Sequence, residues 1–236
     1  MTQQFRIEQD LSPKRWEGRK GHKIRAIVNH ITAGAFPGCL NWMKNPVSKA
    51  SANYLVTRTG RIIQLVRDED SAWANGGVKK PNWRLLIPRV NPNRYTISIE
   101  HEGYGANGGD GTLTEPQYQA TLWLHRQLIK KYDLPVDQDH IIGHYRIDSV
   151  NRPNCPGPKF PWDRLFADLK GVAAVAGDLR VAEDLRKVKI RIEGKEQKVV
   201  EGVIINNTTY APVRAVAETL GRQVDWDNAK REVVIK

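Results

Sequence analysis

K-I-R-A-I-V-N-H, residues 23–30, is a short run rich in apolar and β-branched side chains that ends on a histidine. Such a run reads as a buried strand. R-Y-T-I-S-I-E-H-E (94–102) alternates, and its period of two predicts a strand with Glu100 and Glu102 on one face and His101 on the other. H-I-I-G (140–143) is a third short apolar strand, delivering His144 into a Pro-rich loop that runs through Cys155 to Trp162. Three strand ends thus carry groups able to hold a metal or move a proton.

Working outward, T-A-G-A-F-P-G after the first strand is a loop, and residues 38–45 form one short helix. N-Y-L-V-T-R-T-G-R-I-I-Q-L-V (53–66) has the pattern of two strands about a Thr59-Gly60 turn. Asp68 to Pro92, broken by Gly and Pro and carrying two Trp, reads as a long surface loop of the kind that is often functional. Thr114 opens a helix with the capping box T-E-P-Q, in which Gln117 is expected to reach back to the first turn. Tyr118, Leu122, Ile129 and Tyr132 give that helix a buried face up to about Asp133. A further helix is expected over 163–175, with Gly177 as its stop. Beyond Val188 the texture changes to a hairpin around a Glu-Gly-Lys turn, a helix over 211–221 and a second hairpin about Asp227 and Asn228. The expected organisation is residues 1–165, a helical linker 166–187 and a small α+β domain 188–236.

With 40% hydrophobic and 27% charged residues, the 236-residue chain is globular in composition. No stretch approaches the roughly 18 apolar residues of a membrane span. M-T-Q-Q-F-R-I-E-Q-D lacks a signal-peptide-like apolar segment, so synthesis in the host cytoplasm, with Cys39 and Cys155 reduced, is expected. The net charge is +11, and residues 1–165 hold 24 Lys and Arg against 15 Asp and Glu. That excess favours a polyanion. The basic residues are scattered among Gly, Pro and Trp without a nucleic-acid-reading motif, which argues against nucleic acid and leaves an anionic wall polymer.

Hydrolysis by zinc needs neutral imidazoles or thiolates on a rigid frame, an open position for water, and a carboxylate near that water. His30 in V-N-H-I-T-A-G, Glu100 in S-I-E, His144 in G-H-Y-R-I-D and Cys155 in R-P-N-C-P-G-P supply those groups. No short spacing rule links them; the motif contexts do. Residues 20–165, through the His at the end of the first strand, the hairpin, the N-R-x-x-I-S-I-E strand, the long helix and the G-H…C-P-G segment, resemble the amidase-2 family of phage endolysins and peptidoglycan recognition proteins. The resemblance implies an α/β fold with a mixed central β-sheet and flanking helices. It also implies one Zn2+ held by His30, His144 and Cys155, Glu100 as catalytic base, and cleavage of the amide between the N-acetylmuramic acid lactyl group and L-Ala of peptidoglycan.

Two positions depart from the family pattern: Ala52 stands where many relatives have Tyr, and Pro153 where they have Lys. Either Glu100 transfers the proton unaided or a basic group such as Arg152 steadies the oxyanion. Trp73, Trp83 and Tyr104 are read either as stacking platforms beside the site or as edges of the core. Asn93 and Arg94 are candidate substrate contacts. Cys39 is expected to pack beneath the short helix, and His22, His101, His125 and His140 to be structural. Residues 188–236 resemble the stalk module named after the N-terminal domain of copper amine oxidases. They contain no His, Cys or Met, so wall attachment rather than copper binding is implied, with a passive appendage or a dimerisation surface as the alternatives. The whole chain reads as a phage or prophage endolysin that acts on the wall after release; the alternative is a peptidoglycan-binding protein that does not cut.

Overall fold

The structure, a computed structural model, describes residues 5–103, 110–180, 187–191, 199–205, 208–210, 213–227 and 232–236. Its contacts divide the chain into two units, Met1–Lys170 and Gly171–Lys236. The first holds a mixed six-stranded sheet in the order β1-β5-β4-β7-β3-β8. Its strands are β1 (Ile7–Gln9), β3 (Ala26–Ile31), β4 (Tyr54–Val56), β5 (Ile62–Gln64), β7 (Thr96–His101) and β8 (Ile141–Gly143). A short pair, β2 (Arg15–Trp16) with β6 (Ser71–Ala72), stands apart from it.

Burial explains the layout. β3 is buried from Ala26 to His30, as an inner strand covered on both faces must be. It pairs in parallel with β7 on one side and β8 on the other. Alternation then assigns the faces. Ile27, Ile97, Ile99, Tyr54 and Ile62 meet Ala120, Leu124 and Leu128 of α2 (Glu115–Tyr132). On the opposite face Leu55 and Ile63 meet Leu40 and Met43 of α1 (Gly38–Lys44), while Ala26, Val28 and Ile142 pack under Trp83 and Tyr95. Fully burying each such side chain stabilises the fold by about 1.5–3 kcal/mol. His30 and Glu100 share the α1 face by the same parity.

Three expectations are corrected, and for Trp83 the choice between stacking platform and core edge is decided. Thr114 does cap α2, accepting from the Gln117 amide, but the Gln117 side chain does not reach back. It is buried, and its Nε2 donates to the carbonyls of Val56 and Glu102, tying α2 to the ends of β4 and β7. The 68–92 segment is not merely surface, since Asp68, Ser71, Asn75 and Trp83 are buried. Trp83 is core, stacked on Tyr95 at 5.6 Å with its N–H donated to the Asp139 carbonyl, and lies away from the metal ligands. The helix expected to stop at Gly177 runs as α3 from Trp162 to Arg180. One glycine costs a helix only about 1 kcal/mol, and the V-A-A-V-A before it propagates well.

In the second unit β9 (Lys187–Arg191), β10 (Val199–Ile205) and β11 (Thr208–Tyr210) form an antiparallel sheet. α4 (Val213–Thr219) precedes the hairpin strands β12 (Val224–Asp227) and β13 (Glu232–Ile235). The turn at Glu193–Lys195, Pro212, Asn228 and Tyr104 lie outside the described residues. No helix among the described residues is long and apolar enough to cross a membrane.

Candidate metal centre

Three adjacent parallel strands end at one place. His30 lies near the end of β3 opposite Glu100 of β7, and His144 follows β8 directly. The carboxyl ends of parallel strands are where α/β sheets place ligands. Cys155 returns to this edge through its loop, and its carbonyl accepts from the Tyr145 amide at 3.2 Å. Glycines make that return possible. A Cβ at Gly157 would lie 2.4 Å from the Gly111 nitrogen, and one at Gly143 would strike the Tyr145 ring and Pro156.

One donor atom from each of His30, His144 and Cys155 lies within 4.8 Å of the others, and all three residues are buried. The imidazoles of His30 and His144 meet edge to face at 4.5 Å between centroids, and Cys155 Sγ is 4.0 Å from His30 Nδ1. His144 Nε2 donates to the Asn75 carbonyl at 2.9 Å, which fixes its tautomer and leaves Nδ1 as a lone-pair donor. His30 Nε2 is buried without a hydrogen-bond partner among the described residues. Burial, then the neighbouring His144, holds His30 well below the ordinary imidazole range, and burial lowers His144 to about 4. Both rings are therefore neutral ligands at neutral pH. Burial and the nearby Glu100 push the Cys155 thiol up to about 12, a shift that a divalent cation opposes by favouring the thiolate. Two neutral imidazoles and one thiol suit zinc.

Glu100 stands beside this triad with no hydrogen bond to either oxygen among the described residues, and its Oε2 is sealed from solvent. Burial raises its carboxyl to about 7, against the opposing pull of Arg152. Glu102, which by alternation competed with it for the role, is engaged elsewhere. Its two oxygens accept from the amides of Phe36 at 2.9 Å and Arg58 at 2.7 Å. The triad and Glu100 open into a cavity of about 500 Å3, walled by Gly38, Cys39, Trp42 and Met43 of α1 and by Ala50 and Ala74. Cys39 thus packs partly under α1, as expected, but also reaches the cavity. Arg152 lines it too, and its charge bears on His30, Glu100, His144 and Cys155 alike.

The remaining candidates fall elsewhere. Ala52 is core beneath α1, and Pro153 is exposed. Arg94 stacks its guanidinium 4.8 Å from the Trp16 ring and donates to the Gly18 carbonyl. Asn93 accepts from the amides of Ala74 and Asn75. Together with Trp73 it lines a second recess rather than the metal cavity. Asn75 is the residue that sequence reasoning missed. Its carbonyl orients His144, and its side-chain amide lies close enough to His30 to favour that ring's protonated form. The stretch A-W-A-N-G-G carries no signal for it, because half of the role belongs to the backbone.

A mixed sheet that gathers two histidines, a cysteine and an unpaired carboxylate at the ends of parallel strands offers a site that could hold a metal ion beside a group able to move a proton, the equipment of a hydrolase. Residues 20–158 match the family model described as N-acetylmuramoyl-L-alanine amidase, and the chain belongs to that family. Residues 167–236 match the copper amine oxidase N-terminal domain. The chain is 26% identical over 167 residues to N-acetylmuramoyl-L-alanine amidase A of Achromobacter lyticus, covering 64% of this chain and 85% of that protein. It is 34% identical over 122 residues to the 1,6-anhydro-N-acetylmuramyl-L-alanine amidase AmpD of Haemophilus influenzae, covering 52% of this chain and 60% of that one. A crystal structure of AmpD superposes with a TM-score of 0.57 at 24% identity over 69% of this chain and 94% of that one, a likeness of fold. The amidase AmiD of Escherichia coli, solved with anhydro-N-acetylmuramic acid-L-Ala-D-γ-Glu-L-Lys, superposes with a TM-score of 0.51 at 27% identity over 61% and 57% of the two chains.

Proposed function

We propose that the protein is a zinc-dependent N-acetylmuramoyl-L-alanine amidase that cuts the amide between the muramic acid lactyl group and L-Ala in bacterial peptidoglycan. The observation that carries this reading is the convergence of His30, His144 and Cys155 beside an unpaired Glu100. Zinc bound there supplies a Lewis acid for the scissile carbonyl and lowers the pKa of a water. The chain's own groups do the rest. Glu100, near pH 7 in its titration, takes a proton from the attacking water and returns it to the leaving nitrogen. Arg152, at the rim, places a positive charge where the carbonyl oxygen becomes negative. Asn75 orients the ligand rings, and α1 walls the cavity.

In the same reading residues 1–165 are catalytic, 166–187 link, and 188–236 attach the enzyme to the wall, where the basic surface adds attraction to anionic polymers. The role is that of a phage or prophage endolysin reaching the wall after synthesis in the host cytoplasm. The likeness to bacterial AmpD and AmiD supports a second reading, a bacterial enzyme acting on its own wall material. Digestion of purified sacculi tests the chemistry: new free amines without new reducing ends, abolished by a chelator and restored by zinc, are expected. New reducing ends, or neither product, overturn it.

A further inference from the structure

The search beyond the metal cavity leads to a recess of about 420 Å3 lined by Trp16, Lys49, Trp73, Gly76, Asn91 and Asn93. We propose that this recess binds an N-acetylated pyranose of the glycan strand, next to the muramoyl residue whose stem is cut. This rests on the amidase reading and names a second point of substrate contact.

The recess and the metal cavity share a wall. Ser51 N–H donates to the Trp73 carbonyl, and Trp73 N–H donates to Ser51 Oγ at 2.9 Å, so the 49–51 and 73–75 segments are fastened together. From this ridge Ala50 and Ala74 face the metal cavity, whereas Lys49 and Trp73 face the recess. A polymer whose one sugar sits at the metal is led across the ridge into the recess. The lining chemistry suits a sugar ring. Trp16 and Trp73 both line the recess, with ring centroids 6.0 Å apart and planes tilted at 49°, and the Lys14 ammonium lies 5.8 Å from the Trp73 ring centroid. The N–H of Trp73 is buried without an acceptor among the described residues, so what this indole offers is carbon surface.

The angle is held in advance: Arg94 stacks on Trp16 and is itself tied to the Gly18 carbonyl. The polar groups are donors. Asn93 Oδ1 is occupied by two backbone amides, which fixes the side chain with its Nδ2 unbonded among the described residues. Lys49 is exposed and forms no ion pair among the described residues. Fixed apolar surface with a few convergent donors matches the C–H face, hydroxyls and acetamido carbonyl of a pyranose. A stem peptide offers no ring for the two indoles. Trp16 also precedes the segment that the family model matches, so half of the aromatic angle comes from outside it.

The test uses the full-length, zinc-loaded protein with two readouts. The first is calorimetric titration with N,N′,N″,N‴-tetraacetylchitotetraose, a peptide-free glycan. The second is the ratio of kcat/KM for a tetrasaccharide carrying one stem to that for a single muramoyl peptide. The wild type is expected to bind the tetraose and to prefer the longer glycan. Trp16→Ala is expected to weaken tetraose binding by roughly fivefold and to bring the length ratio towards one. Lys49→Ala, which removes only an exposed ammonium, is expected to weaken binding less, and it carries the test if Trp16→Ala does not fold. Tetraose binding and length ratio unchanged in both variants overturn the proposal, as does a defect that follows stem length instead of glycan length. Trp16-dependent tetraose binding by a protein that releases no amines from wall would leave the recess standing and sink the amidase reading.

Discussion

Two carboxylates, Asp68 buried and Glu100 half-buried with one oxygen sealed, are treated in opposite ways. On the α2 face Asp68 is saturated: Oδ1 accepts from Tyr54 at 2.7 Å, and Oδ2 accepts from Tyr132 at 2.7 Å and from Lys131 at 2.8 Å. On the α1 face Glu100 has no hydrogen bond among the described residues, and the neighbouring His30 Nε2 is equally unpaired. Leaving a buried polar group unpaired costs about 1–3 kcal/mol. A fold able to complete one cluster and carrying another incomplete holds the second for a partner that arrives later, which in the proposed reading is metal, water and substrate.

Substitutions should break the two clusters differently. Glu100→Ala is expected to keep its zinc by elemental analysis while turnover on sacculi falls by about 10²–10⁴. Cys155→Ser is expected to lose metal and turnover together, and stoichiometric zinc in an active Cys155→Ser protein would remove Cys155 from the ligand set. Asp68→Ala strips Tyr54, Tyr132 and Lys131 of their acceptor. It should cost about 3 kcal/mol in urea denaturation and leave metal content unchanged. If Asp68→Ala lost zinc and kept its stability, the contrast between the faces would be wrong.

The contrast also has a pH signature. Because the folded-state pKa of Glu100 is raised from 4.5 to about 7, the folded protein holds a proton there that the unfolded chain has released. Stability associated with the protonated carboxyl is complete below pH 4.5, drains away as pH rises to 7, and is absent above it. Glu100→Gln, neutral throughout, should therefore match the parent at pH 4.5 and exceed it at pH 8. The gain should be about 1–2 kcal/mol, discounted for partial exposure and for Arg152. Chelator-treated protein at the two pH values provides the measurement, and a Gln variant less stable at pH 8 contradicts the unpaired state of Glu100.

What the sequence reveals about this site follows from where each role resides. Strand runs, alternation and the turn at Thr59-Gly60 are local, so β3, β4, β5, β7 and β8 were legible from the residues. The candidate ligands were legible only through motif context, because His30, His144 and Cys155 are brought together by the parallel pairing of β3, β7 and β8 and by the close approach of Gly157 to Gly111. Gln117 misled because a buried acceptor elsewhere outcompeted its own helix terminus. Trp83 stayed open between stacking platform and core edge because an aromatic in a Gly- and Pro-broken segment reads as loop; its stacking on Tyr95 decides for the core. Glu100 and Glu102 share a face by alternation, and only their hydrogen bonds separate them.

Asn75 offers the finest test, since backbone and side chain divide its work. The carbonyl accepts from His144, and the backbone amide donates to Asn93 Oδ1 at 2.9 Å. Both contacts survive Asn75→Ala. The side chain is lost, and with it the Nδ2 bond to Thr96 Oγ1 at 3.0 Å and the Oδ1 beside His30. Oδ1 and His30 Nε2 are both buried and unpaired among the described residues. A proton on Nε2 would face that oxygen and leave Nδ1 directed at Cys155, 4.0 Å away. Without Oδ1 that tautomer loses its support, and zinc affinity should fall by about 10–100-fold. Nitrogen-15 spectra of the metal-free protein separate this from simple packing: His30 should shift towards its other tautomer while His144, held by the carbonyl, does not. Equal behaviour of the two rings would mean that the Asn75 side chain fills space and that the backbone alone orients the site.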